Sequence, residues 1–234
     1  YSQIELRLCA AFAHEKRMLE AYQNDEDIHR LTGSLLNKVP LDEVTKEMRS
    51  KSKPVNFGLI YGCGPAALRE QAIAGYGVDM TLDEAKQARK DFFEAYSGIA
   101  AWHQSLKDEL GSANALNRKV RYLTTALGRR RQVLRDDDRL TVRSNTPVQG
   151  SGADLIKLAM CYLWDHIIKG ECELVAMVHD ELVLHVPEAT AEEWKQRLSG
   201  YMEHAGKVVL NSSPRLAQVP IVAEAGICDS WAEK

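Results

Sequence analysis

RSKSKPVNFGLIYG, Arg49 to Gly62, is the stretch that decides how the rest of this chain is read. Arg49, Lys53, Phe57 and Tyr61 recur in it at intervals of four. On a helix that spacing stacks two cations and then two aromatic rings along one face. Such a face offers charge to a phosphate chain and a flat surface to a base. The pattern predicts a helix over 42–61, with Asp42 as its cap and Gly62, Gly64 and Pro65 closing it. Pro54 stands inside this helix. It removes one helix hydrogen bond and disfavours α geometry at Lys53, at a cost of about 3 kcal/mol, so a kink is expected there.

Working outward, apolar residues at helical spacing (Ile4, Leu8, Ala11, Phe12, Met18, Leu19) predict one helix over 2–22, and shorter helices follow over 28–36 and 66–74. The capping box Thr81-x-x-Glu84 opens a helix reaching Tyr96, and helix resumes over 99–110. Val120, Tyr122 and Leu123 mark strand, Asp136 to Asp138 an acidic turn, and 143–164 a long helix. LVAMV, then His179-Asp180, then ELVLHV reads as two strands joined by a two-residue turn. Thr190-x-x-Glu193 is a second capping box, opening a helix to Ala205, and 219–225 reads as a final strand. The fold class is therefore α+β: a helical middle, and a smaller part whose sheet is assembled from distant segments.

With 234 residues the chain can bury a substantial core, and 45% hydrophobic with 27% charged residues is ordinary for a globular protein. No apolar run approaches the ~18 residues of a membrane span, and no signal peptide is visible at YSQIELRLCA. Five scattered cysteines without a CxxC pair point to reduced thiols, a cytoplasmic setting and no zinc site. Net charge is −3, yet Lys46, Arg49, Lys51 and Lys53 cluster against the single acid Glu47, and Arg129 to Arg131 form a second cluster. An acidic chain can still bind nucleic acid when its cations line one cleft. Residue 1 is Tyr rather than Met, and the sequence opens inside an amphipathic pattern, so it reads as a piece of something longer.

YSQIELR at the start, Arg49-x3-Lys53-x3-Phe57-Gly58-x2-Tyr61-Gly62, and Val178-His179-Asp180-Glu181-Leu182-Val183 come in that order. Together they resemble motifs A, B and C of family A DNA polymerases. Asp27-Ile28-His29, Gly128 to Arg131, Asn145-x-Pro147-Val148-Gln149-Gly150 and Ser230-Trp231-Ala232-x-Lys234 extend the resemblance over nearly the whole chain. It implies a palm segment over 1–15, fingers over 16–125, and palm again over 126–234 with the motif C hairpin at 174–186. It implies that Arg49 and Lys53 hold the triphosphate of a dNTP, with charge and hydrogen bonds that offset what builds up in phosphoryl transfer. Phe57 would pack on base and sugar, Tyr61 would lie near the templating base, and Gln3 and His29 would join the nucleotide site. Glu5 would fill the space of a ribose 2′-OH. Asp180 would be a catalytic Mg²⁺ ligand, with Glu181 as a supporting acid and the Tyr1 backbone carbonyl as a second ligand; two ions serve the intact enzyme. His179, Gln149, Asn145 and Arg129 would contact primer-template DNA, Gln149 and Asn145 through the minor groove.

The family's motif A aspartate would precede Tyr1, so the chain alone is expected to be inactive, its thumb and remaining palm lying on a missing N-terminal portion or a separate chain. Where the family has an arginine four residues before Asn145 this chain has Thr141, flanked by Arg139 and Arg143. Gly111 to Arg121 looks longer than in bacterial members, a hint of a phage-like lineage. Two other readings remain: a single-subunit RNA polymerase, against which Glu5 argues, and a palm and fingers module that binds DNA without catalysis.

Overall fold

The computed structural model describes residues 1–117, 119–230 and 233. Trp231, Ala232 and Lys234 of the C-terminal match lie outside the described residues. The α+β class holds, with long helices and two small antiparallel hairpins. The centre is α1 (Ile4–Ala13), whose Leu6, Leu8, Cys9, Ala10 and Ala11 are fully buried. The single helix expected over 2–22 is broken after α1, because His14 takes a left-handed φ of 48°. Glu15 then starts α2 (Lys16–Gln23): one carboxylate oxygen accepts from Arg17 N at 3.1 Å and the other from Gly98 N at 2.7 Å. A buried acid with two main-chain donors makes a firm break, which apolar periodicity does not register.

Asp27 caps α3 (Ile28–Asn37). A 3-10 turn at Leu41–Glu43 leads to α4 (Lys46–Ile60), so Asp42 falls in that turn and the true cap is Thr45, whose Oγ1 accepts from Met48 N at 3.2 Å. Helix α4 runs unbroken through Lys53 and Pro54. Next come α5 (Pro65–Tyr76), α6 (Leu82–Ala95) with both halves of its capping box formed, and α7 (Ser97–Ala115). Strands β1 (Val120–Thr124) and β2 (Arg130–Leu134) pair antiparallel, and α8 (Leu140–Ile168) is the longest helix among the described residues. The motif C hairpin is β3 (Glu173–Val178) and β4 (Glu181–His185), followed by α9 (Ala191–Asn211).

Two expectations fail in this last part. Thr190 does not cap α9 through its side chain; its hydroxyl donates to Pro187 O at 3.0 Å instead. Residues 219–225 form no strand, and the sheets are two local hairpins rather than one assembled from distant segments. Alternating apolar residues here serve packing: Ile221 presses on α9 where a Cβ at Gly206 would come within 2.6 Å of it. A ladder needs a partner strand, and the segment's bond to the chain start is Ser2 N to Val222 O at 2.9 Å.

Candidate functional site

The start of α1 collects most of the singled-out residues. Gln3, at a left-handed φ of 53°, precedes the helix, and its side chain accepts from Tyr22 Oη at 3.2 Å. Arg7 steadies the same corner, donating to Ser2 O at 2.9 Å and Pro220 O at 2.7 Å with its guanidinium 4.2 Å over the Tyr22 ring. One turn into α1, Glu5 accepts a short hydrogen bond from Tyr61 Oη and a second from Gln149 Nε2 at 3.3 Å. Burial and the Glu5 carboxylate push the Tyr61 phenol far above its ordinary range, so it stays a donor. Glu5 thus binds α1 to the end of α4 and to α8.

The hairpin turn meets this corner through Tyr1, whose amino group donates to Asp180 O at 3.0 Å. Burial and the Asp180 charge push the Tyr1 phenol upward as well, and its hydroxyl donates to Met202 O at 2.9 Å. His179 holds a φ of 55°, a left-handed value that glycine usually supplies at the first position of such a turn. That conformation lets Asp180 follow at the tip, half-buried, with Glu181 opening β4. His179 itself is exposed.

On α4 the cations are not equivalent. Arg49 Nε donates to Asp27 Oδ2 at 2.6 Å, while the other oxygen of Asp27 caps α3 by accepting from His29 N and Arg30 N. Burial alone would raise the Asp27 carboxyl, but these hydrogen bonds outweigh it and hold it below its ordinary range. Lys53 is half-buried, and its ammonium forms no ion pair among the described residues. Phe57 lies against His29, ring centroids 5.8 Å apart. Burial, helped by Arg49 and Lys53 and opposed by Asp27, pushes His29 down to about 4. The imidazole is therefore neutral at neutral pH.

Asn145 and Gln149 lie on α8, which is brought close to the β1–β2 turn at Gly150: a Cβ there would come within 2.6 Å of Thr125 Cγ2. Arg129 is drawn to α8, donating to Asp154 Oδ1 at 2.6 Å and Gly150 O at 2.9 Å, with its side chain still 48% exposed. Of the two arginines flanking Thr141, Arg143 is consumed by the buried carboxylate of Asp138, while Arg139 is exposed.

The DNA polymerase family A model matches residues 1–233. The chain belongs to this family. DNA polymerase I of Aquifex aeolicus is 37% identical over 233 residues, covering 99% of this chain and 38% of that protein. The thermostable DNA polymerase I of Thermus thermophilus is 33% identical over 239 residues, with 99% of this chain and 26% of that protein covered. The chain thus spans well under half the length of these relatives. Among solved structures it is similar to the POL domain of Pol1 from M. smegmatis, in complex with DNA primer-template and dNTP, with a TM-score of 0.72 and 30% identity over 88% of this chain and 36% of that one.

For a metal ion this family A chain offers the Asp180 and Glu181 carboxylates and the Tyr1 carbonyl, all hard oxygens. No hydrogen bond engages the Asp180 carboxylate among the described residues, and no group of three or more His, Cys, Asp or Glu gathers there. That donor set fits an ion such as Mg²⁺, which takes one or two carboxylates and fills its remaining positions with water and phosphate oxygens. Sequence reasoning missed Asn56 and Thr32, which hold His29 from behind. Asn56 precedes Phe57 and so points off the motif face; no local spacing links it to a residue 27 positions away.

Proposed function

We propose that this chain is the nucleotide-binding and catalytic part of a DNA-directed DNA polymerase, working with a further N-terminal portion, on primer-template DNA and dNTP. The observation that carries the reading is the junction at α1. Through Glu5, Tyr61, Gln149, Tyr1 and Asp180 it joins the aromatic end of α4, the α8 helix and the acidic hairpin turn.

In the reaction the primer 3′-OH attacks the α-phosphate of a dNTP, the bond to the leaving phosphate breaks, and pyrophosphate departs. Lys53, which has no ion-pair partner among the described residues, and Arg49, one turn before it, supply positive charge along the triphosphate. Phe57 offers its ring to the base and sugar. Glu5, pinned by Tyr61 and Gln149, occupies a set place and excludes a 2′-hydroxyl rather than swinging aside. Asp180 with the Tyr1 carbonyl would hold Mg²⁺, which when bound neutralises phosphate charge. Gln149, Asn145, His179, Arg129 and the exposed Arg139 face the DNA in this reading.

Primer extension tests it, with the N-terminal portion supplied in trans. Restored extension with dNTP, abolished by Asp180→Ala while DNA binding persists, is expected. DNA binding without extension would favour a non-catalytic module. Equal use of rNTP and dNTP would favour an RNA polymerase and remove the role given to Glu5.

A further inference from the structure

Behind the His29 ring runs a chain of buried polar groups that the reading above does not use. Tyr96 Oη lies 2.7 Å from Thr32 Oγ1, which lies 2.9 Å from Asn56 Oδ1, and Asn56 Nδ2 lies 2.9 Å from His29 Nδ1. Tyr96 and Asn56 are fully buried, so their polar atoms must find partners inside the protein. We propose that Tyr96, Thr32 and Asn56 form a relay that holds His29 as the Nε2–H tautomer, which makes Asn56 a positioning residue for the phosphate-binding face of α4. The inference rests on the reading of that face given above.

The direction follows from counting protons. Burial pushes the Tyr96 phenol well up, so it keeps its proton; either hydroxyl could donate across the 2.7 Å contact, and the relay takes Tyr96 as the donor to Thr32. Thr32 then has one proton and two acceptors in reach, Asn56 Oδ1 and Ile28 O, both at 2.9 Å. Ile28 O already serves the α3 ladder. Donation to Asn56 satisfies its oxygen, turns its amide N–H toward His29 Nδ1, and leaves the ring proton on Nε2. Donation to Ile28 would set two acceptor oxygens against each other unless the Asn56 amide turned over, and the ring would then carry its proton on Nδ1. Nε2 forms no hydrogen bond among the described residues and is not one of their enclosed unpartnered atoms, which leaves its proton for an outside acceptor. The charged groups acting on the ring are Asp27, Arg49 and Lys53. A third cation beside Arg49 and Lys53 would be repelled, whereas a neutral Nε2–H can donate to a phosphate oxygen without that cost.

The test is long-range ¹H–¹⁵N NMR of ¹⁵N-histidine chain, with dATP affinity measured on the same samples. The expected result is a single Nε2–H tautomer for His29, neutral at about pH 6. Thr32→Val, which keeps shape and removes the hydroxyl, should mix the tautomers and weaken dATP binding about fivefold, the loss of one net hydrogen bond. Tyr96→Phe should do the same more weakly. Lys53→Ala should weaken dATP binding with the tautomer unchanged. An Nδ1–H ring in the unmodified chain, or a tautomer unmoved by Thr32→Val, would overturn the relay. The unmodified ring decides alone should a variant not fold. A locked Nε2–H ring in a chain that does not bind dATP even with the N-terminal portion supplied in trans would keep the relay and overturn the phosphate-face reading.

Discussion

Two arginine–aspartate clusters in this chain use the same chemistry to opposite ends. At Asp27 and Arg49 the side chains are 33% and 38% exposed and meet through one bond of 2.6 Å. At Asp138 the carboxylate is 0% exposed and receives Arg121 Nη1, Arg143 Nε and Arg143 Nη2, each at 2.7 Å. Arg121 goes on to Asn114 Oδ1 at 2.8 Å and Ala113 O at 3.2 Å, and Arg143 to Glu109 at 3.3 Å. The buried cluster therefore ties α7, β1 and the start of α8 together, with its charges shut away from water. The open one leaves Arg49 within reach of an outside anion, because water or phosphate can replace Asp27 at small cost. Exposure, not residue type, separates a staple from a ligand.

The largest expected effect breaks the buried cluster. Asp138→Ala removes the buried carboxylate that two guanidinium groups share and should destabilise the chain by about 3–5 kcal/mol, read from urea denaturation. A loss as small as that of a surface pair would show that water enters and that the contrast is false. The acid dependence sharpens the same point. Burial would raise the Asp138 carboxyl, but the hydrogen bonds from Arg143 and Arg121 outweigh it and hold it below its ordinary value of 3.8. Its contribution is then complete above the unfolded value and is lost as pH falls through the lower folded one. The urea midpoint of Asp138→Asn should accordingly fall less on acidification than that of the unmodified chain. At the open cluster, Asp27→Ala removes the α3 cap and should cost about 1 kcal/mol. Asp27→Asn keeps a capping side chain and should recover most of it, with the remaining ion-pair effect erased by salt. The smallest effect is Lys51→Ala, which removes the exposed pair with Glu47 and should leave the urea midpoint unchanged within error.

Much of the candidate site was legible because it is built from local repeats. The four-residue stripe of α4 and the two-residue turn at His179-Asp180 are helix and hairpin geometry written directly in the chain. What was not legible depends on partners distant in sequence. Glu15 breaks the first helix because Gly98, 83 residues away, offers it a main-chain donor. Thr45 rather than Asp42 caps α4 because Arg30 holds the Leu41 and Asp42 carbonyls in a 3-10 turn. Arg143 and Arg139 look alike beside Thr141, and only the burial of Asp138 separates them.

By itself the sequence determined the α+β class, the membership suggested by ordered motifs, and the face that Arg49, Lys53, Phe57 and Tyr61 share, since periodicity and motif order are properties of the chain alone. Tertiary structure alone decided that Arg49 is paired while Lys53 has no ion pair among the described residues, that His29 is backed by Asn56 and Thr32, and that Glu5 is clamped between two helices. The physical reason is that protonation, tautomer and availability are set by burial and by hydrogen-bond partners, and those are fixed only when distant segments pack.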